Sequence, residues 1–311
     1  VLEGRLAQLF KPDLPPWDKQ KPMLFMQSCT RLVFLLSAVL FGPAWLSACS
    51  GSPSPQTPSS QDAKMTAPGR ILFVLSSASE QRLRNGKTRD TGYFLGEFYE
   101  PYRALRAQGY EVDIATPDGK KPALDPESTK DKYWDSQAVK KKAVRFIQKS
   151  KKMKSPLSLA DALSKESEYQ GLIVPGGQGV MVDLLDDRNL HDLISTVAKR
   201  GGAIGLICHA PAILTRLPNG GDSLAGRNVT SVSGFEEFYI ETFVMGGDAK
   251  VRNIGKQLNY TGFDYESALP KSDFAVRDCN LVTSQNPFSG SAFNEEYLLA
   301  LKGTRRGVIC K

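Results

Sequence analysis

The densest concentration of chemistry in the chain is Gly201-Gly202-Ala203-Ile204-Gly205-Leu206-Ile207-Cys208-His209-Ala210-Pro211-Ala212-Ile213-Leu214. A glycine-bounded apolar run reads as a buried strand, and the segment from Ala210 reads as the start of a helix, because Pro is tolerated in a first turn. Cys208 therefore falls at a strand-to-helix turn, where unpaired N–H groups and the helix dipole favour a thiolate over a thiol. That makes it a candidate nucleophile. The plain alternative is a small buried core residue, the common fate of a free cysteine. His209, one of only two histidines in the chain, stands directly after it and argues for chemistry.

Two further stretches could serve that thiol. Gly171-Leu172-Ile173-Val174 reads as a strand running into Pro175-Gly176-Gly177-Gln178-Gly179. Adjacent glycines at a strand end let the backbone approach a ligand, and their N–H groups can point at a developing negative charge. Paired with Cys208 on the next strand, this turn is a candidate oxyanion hole. Glu97 is the other stretch: it precedes Pro101 by four residues, and Pro has no N–H. The carbonyl of Glu97 thus lacks its intrahelical partner, and the helix should kink beside it. Taken alone, a carboxylate there reads as a surface residue.

The elements that must position these residues follow from periodicity. Ile71–Leu75 and Gly109–Pro117 read as strands, and Leu95, Phe98, Tyr102 and Leu105 recur between them at helical spacing, with Gly109 at the helix end. That is a βαβ unit, which implies a parallel sheet covered by helices. Leu190, Leu193, Ile194 and Val197 mark a helix that returns the chain to the cysteine strand, and His191 beside that stripe reads as exposed. Phe274-Ala275-Val276 and Leu281–Ser284 read as a hairpin, followed by a terminal helix through Leu301. Cys279 falls in the hairpin turn without a role, and Cys310 reads as an exposed thiol.

Five cysteines lack the spacing of a zinc site or a redox CxxC and are too scattered for a disulfide framework, so no metal or other cofactor is expected. The formal net charge of +7 invites a nucleic-acid reading, but much of the excess lies between Ala138 and Lys154. There, basic residues oppose a stripe of Val139, Ala143, Phe146 and Ile147, the pattern of an amphipathic helix with a solvated basic face. On a membrane-held protein it could also touch anionic headgroups, at about 1 kcal/mol per basic residue. No aromatic interleaving accompanies the charge, and nucleic acid is not expected as a partner.

Residues 1–25 carry no clear periodicity and read as a possible start-site overhang. From Met26, Arg31 supplies a positive flank, Leu32–Leu46 an apolar run, and Ser47-Ala48-Cys49 a small-residue end. The run is shorter than the ~20 residues of a spanning helix and has the layout of a secretory signal, residues 26–48. Leu46-Ser47-Ala48-Cys49 resembles a bacterial lipobox, which implies cleavage before Cys49 and acylation of that residue. Ser50 then implies the outer membrane, with the protein facing the periplasm and lipid as its anchor. A cleaved, unlipidated signal peptide and an uncleaved anchor are the rival readings. Residues 49–68, rich in Ser, Pro, Gln and Thr, read as a tether, residues 69–302 as the folded domain, and 303–311 as a basic tail.

The cysteine elbow, the Pro-Gly-Gly turn and Thr91-Gly92-Tyr93-Phe94-Leu95-Gly96-Glu97-Phe98-Tyr99-Glu100-Pro101 together resemble the ThiJ/PfpI superfamily, the class I glutamine amidotransferase-like domain. Asp125-Pro126-Glu127-Ser128 resembles its heat-shock chaperone and glyoxalase III branch, and Asn280–Pro287 a later family segment. The resemblance implies a single flavodoxin-like α/β three-layer sandwich with a mainly parallel sheet. It implies that Glu97 is buried and points at the Cys208 sulfur, and that the N–H groups of Gly177 and His209 form the oxyanion hole. Many relatives carry His where this chain has Gln178. The acid that orients the histidine has no direct counterpart: one branch's Asp falls on Gly234, and Glu236 replaces the other branch's Glu only across a one-residue gap. Implied activities are a glyoxalase III-like conversion of methylglyoxal or similar small aldehydes through a Cys208 hemithioacetal, a Cys-His amidase or peptidase, or a non-catalytic thiol sensor or chaperone. Homodimers are usual in the family.

Overall fold

The computed structural model describes residues 68–305. In chain order the strands are β1 Arg70–Val74, β2 Glu80–Arg82, β3 Thr88–Asp90, β4 Glu111–Thr116, β5 Leu157–Ser158 and β6 Tyr169–Val174. They continue with β7 Ala203–Ile207, β8 Asn228–Val229, β9 Asp264–Tyr265, β10 Ala275–Asp278 and β11 Leu281–Ser284. The helices are α1 Leu95–Ala107, α2 Gln137–Lys149, α3 Lys151–Lys154, α4 Leu159–Ser164, α5 Arg188–Lys199, α6 Gly234–Tyr239, α7 Ile254–Tyr260 and α8 Gly290–Arg305.

Seven strands form one sheet in the order β10-β11-β7-β6-β1-β4-β5, parallel throughout except for the edge strand β10. The central strands are apolar along their whole length because helices cover both faces; every residue of β7 is buried. From β1 the chain moves out to β4 and β5, then returns to β6 and β7 on the other side of β1. That reversal creates a switch point at the carboxyl ends of β1 and β6, the place where open α/β sheets bind ligands.

Helix α8 shows how closely the layers approach. Phe293 and Tyr297 stack with ring centroids 5.5 Å apart, and a Cβ on Gly205 would lie 2.7 Å from the Phe293 ring. The Tyr297 hydroxyl, fully buried, donates to the carbonyls of Leu172 and Ala203 at 3.1 and 3.2 Å. Gly205 in the cysteine strand is therefore a packing residue, and a methyl group there would overpack the layer at a cost of about 1–3 kcal/mol.

Local departures from the sequence expectations have physical causes. The basic segment is two helices: Ser150 adopts an extended conformation and caps α3 by accepting from Met153 N. Lys141, Lys142, Arg145 and Lys149 are exposed, while Phe146 packs on Tyr102 of α1 at 4.5 Å. His191 is buried, not exposed, because Nε2 bonds the carbonyl of Leu185 in the turn before α5 at 2.9 Å. Cys279, for which no role was expected, is disulfide-bonded. The expected signal segment, Cys49, all of the tether but Pro68, and Cys310 lie outside the described residues. Among the described residues no helix is long and apolar enough to cross a membrane.

Candidate active site

Cys208 follows β7 at φ 60°, the left-handed region. A non-glycine residue there costs about 1–3 kcal/mol and persists only where surroundings enforce it. Two main-chain bonds do so: Cys208 N donates to Ser284 O at 2.8 Å, and Val232 N donates to Cys208 O at 2.9 Å. The elbow leads into a 3-10 helix, Ala210–Arg216, a tighter turn than the α-helix its sequence suggests. The adjacent backbone N–H of His209 acts to lower the Cys208 pKa.

Glu97 lies in the first turn of α1, buried, with Oε2 accepting from Gly176 N at 2.8 Å. Oε1 is buried with no hydrogen-bond partner in the protein, while Oε2 and Cys208 Cβ both flank Gly176. Burial raises the Glu97 pKa to about 8, so at neutral pH the group holds a proton. Burial likewise pushes the Cys208 thiol up, and a charged Glu97 would push it further. That repulsion lapses while Glu97 is neutral, and a carboxyl O–H turned to sulfur would stabilise the thiolate. The pair titrates as a unit. Gly176 permits the approach: a Cβ there would lie 2.8 Å from Glu97 Oε2 and 2.9 Å from Cys208 Cβ.

His209 is buried and holds both ring nitrogens in contacts. Nδ1 lies 3.1 Å from Cys208 Sγ, and Nε2 lies 2.9 Å from Gln178 Nε2. Gln178 Oε1 in turn accepts from Gln81 Nε2 at 2.9 Å. With its oxygen taken by Gln81, Gln178 presents N–H to His209; in this arrangement Nε2 accepts and the ring proton sits on Nδ1, facing sulfur. Burial, and then the charge of Arg89, lower the His209 pKa to about 4, so the ring is neutral. Gln81 belongs to the β2–β3 hairpin, which no periodicity announced because three polar residues form each strand.

Glu236 is engaged elsewhere. It completes a capping box with Ser233 at the start of α6. It also accepts from Gln285 and Asn286 side chains and Lys271 N, each at 3.0 Å. The neighbour of His209 Nε2 is an amide, Gln178, where sequence reasoning looked for an acid.

Above the sulfur opens a cavity of about 400 Å³ whose lining includes Cys208, His209, Gly177, Gln178, Arg89 and Glu236. Gly177 adopts φ 97°, and a Cβ there would lie 2.4 Å from the carbonyl of Gly92, so the Gly-Gly turn accepts no side chain at its second position. Asp125 caps the Pro126–Thr129 turn by accepting from Glu127 N at 2.9 Å and lies 3.5 Å from Arg89 at the same cavity. Among the described residues no group of three or more His, Cys, Asp or Glu could hold a metal ion.

Comparison with known proteins places this arrangement. The DJ-1/PfpI family profile matches residues 92–300. Glutathione-independent glyoxalase HSP31 of Saccharomyces cerevisiae is 27% identical over 250 residues, 76% of this chain and 99% of that protein. Protein/nucleic acid deglycase HchA of Escherichia coli is 25% identical over 255 residues, 76% and 84% of the two chains. The crystal structure of glyoxalase III from Candida albicans superposes with a TM-score of 0.63 at 24% identity, covering 75% of this chain and 97% of its own, and shares the fold.

The tautomer assignment is directly testable with only two histidines to resolve. Long-range proton–nitrogen NMR at pH 7 is expected to show His209 protonated at Nδ1 and His191 at Nε2, and Gln178→Glu to move the His209 proton to Nε2 with a rise in its pKa. A wild-type His209 protonated at Nε2 would show that the Gln81–Gln178 pair does not set the ring.

Proposed function

The chain belongs to the DJ-1/PfpI family, and from that premise we propose that it converts methylglyoxal or a related 2-oxoaldehyde to a hydroxy acid without glutathione. The observation that carries the reading is the buried Glu97 carboxyl, held by Gly176 N beside Cys208 and protonated up to about 8. A proton donor fixed beside the sulfur supports the thiolate before attack and receives or returns a proton during turnover.

Cys208 attacks the aldehyde carbon to form a hemithioacetal, and the N–H groups of Gly177 and His209 receive the oxyanion. Glu97 gives its carboxyl proton to that oxygen, and the carboxylate so formed takes the C1 proton, while Nδ1–H of His209 stays in place as a hydrogen-bond donor. Return of a proton at C2 gives a thioester of the hydroxy acid. Water then cleaves the carbon–sulfur bond and regenerates the thiol. Water is added across the substrate as a whole, so no external oxidant or reductant is required.

Amide hydrolysis by the same Cys-His pair fits less well. It asks the ring to become an imidazolium, which a carboxylate partner stabilises, whereas Nε2 faces the neutral amide of Gln178 and the ring pKa is lowered to about 4. The relatives named for glyoxalase activity agree with the aldehyde reading at the level of family chemistry.

Lactate release from methylglyoxal is the test: wild type is expected to form it, Cys208→Ala to form none, and Glu97→Gln to lose about 10²–10⁴-fold in kcat. Absence of lactate with the wild-type protein would reject the reading for methylglyoxal. We also propose, from Leu46-Ser47-Ala48-Cys49, that the enzyme acts from a lipid anchor on the outer membrane facing the periplasm. Expressed in a bacterium, the full chain is expected in the outer-membrane fraction and Cys49→Ala in the soluble fraction; an unchanged distribution would reject the anchor.

A further inference from the structure

Methylglyoxal has three carbons and two oxygens, and the cavity above Cys208 is about 400 Å³. Cavities of about 300–1,000 Å³ are of the size that encloses drug-sized ligands, so the three-carbon aldehyde would occupy only the floor. The rest of the lining combines charged side chains with an aromatic set. Phe94, Tyr133 and Phe288 form one continuous wall, with ring centroids 5.0 and 5.8 Å apart. A second apolar set, Phe235, Tyr239, Ile240 and Val244, comes from α6 and the helical turn that extends it.

Two of those side chains are conspicuous for their exposure. Phe235 is 67% and Tyr239 46% accessible although both line the cavity. Apolar surface left facing water beside a nucleophile gains free energy when a substrate covers it. Charged groups also line the cavity, and several are paired with one another: Arg89 lies 3.5 Å from Asp125. Lys132 sits over the Tyr133 ring at 4.8 Å and Lys271 over the Phe288 ring at 5.9 Å, and Lys132 is also paired with Glu127 at 2.7 Å.

We infer that the preferred substrate is a 2-oxoaldehyde carrying an aryl or similarly bulky apolar group, of the phenylglyoxal type, with methylglyoxal a poor fit. The inference rests on the glyoxalase reading. The chemistry is unchanged and balances internally: sulfur bonds to C1, C1 loses its hydrogen as a proton and is oxidised to the thioester level. C2 is reduced as it gains a proton, and water breaks the carbon–sulfur bond to give the aryl hydroxy acid.

The experiment compares initial rates with phenylglyoxal, followed as mandelate, and methylglyoxal, followed as lactate. Initial rates are required because phenylglyoxal also modifies guanidinium groups. A kcat/KM at least about tenfold higher for phenylglyoxal is expected, and Phe235→Ala with Tyr239→Ala is expected to bring the ratio of the two values back towards one. Equal or better use of methylglyoxal would overturn the inference while leaving the glyoxalase reading in place. If neither aldehyde is turned over, the glyoxalase reading fails and the substrate claim with it. A companion measurement separates the cavity from turnover: alkylation of Cys208 by 2-bromoacetophenone and by bromoacetone, each rate divided by that with glutathione. A several-fold aryl preference that is lost in the double variant is expected, and its absence would overturn the assignment of the walls.

Discussion

A carboxyl group buried against a sulfur is the constraint on which the site depends. Glu97 has one oxygen on Gly176 N and the other without a protein donor, so an ionised form would be poorly compensated and the proton stays until the pH reaches about 8. A neutral Glu97 is what lets a buried Cys208 approach the thiolate state, since the same group when charged opposes it. The arrangement is exacting: it needs a glycine at 176, a carboxylate in the first turn of α1, and a cysteine at a left-handed φ. Each requirement is met by a different segment of chain.

The sheet supplies the convergence. Glu97 enters from the helix after β1, Gly176 and Gly177 from the end of β6, and Cys208 from the end of β7, three neighbouring parallel strands whose carboxyl ends meet at the switch point. Opposite pressures act on the two residues flanking the sulfur. Glu97 is kept protonated by burial and His209 is kept neutral by burial and Arg89, so two neutral donors face the sulfur. The cavity walls come from less regular segments, the 3-10 turn at Tyr133 and the helix from Gly234 to Met245, whereas Cys208, Gly176 and Gly177 stand at the ends of central strands.

Much of this was legible in the sequence because the central strands carry uninterrupted apolar runs and glycine boundaries. The strands flanking Cys208 and Gly176 and the α1 periodicity announce themselves, whereas α1 runs without a break through Pro101, where the sequence suggests a kink. Glu97 was legible only through resemblance: nothing in its local pattern distinguishes a carboxylate aimed inward from one on the surface. His191 escaped because a residue beside the apolar stripe of α5 is buried by the preceding turn, a tertiary contact that periodicity does not encode. Gln81 and Gln178 are the more instructive pair. They lie far apart in sequence, and a polar hairpin such as β2–β3 carries no hydrophobic signal, so their joint hold on His209 appears only in three dimensions. Glu236 shows the converse, a suitable residue type near the site whose oxygens are committed to Ser233, Lys271, Gln285 and Asn286.

The protonation state of Glu97 can be observed without turnover. Infrared difference spectroscopy of wild type minus Glu97→Gln, with carboxyl-labelled glutamate, would report the C=O band of a protonated acid. A protonated-carboxyl band at pH 6 that gives way to the carboxylate as the pH passes about 8 is the result the account predicts. A carboxylate signal from Glu97 already at pH 6 would contradict it, since a charged Glu97 would oppose the thiolate it is held here to support.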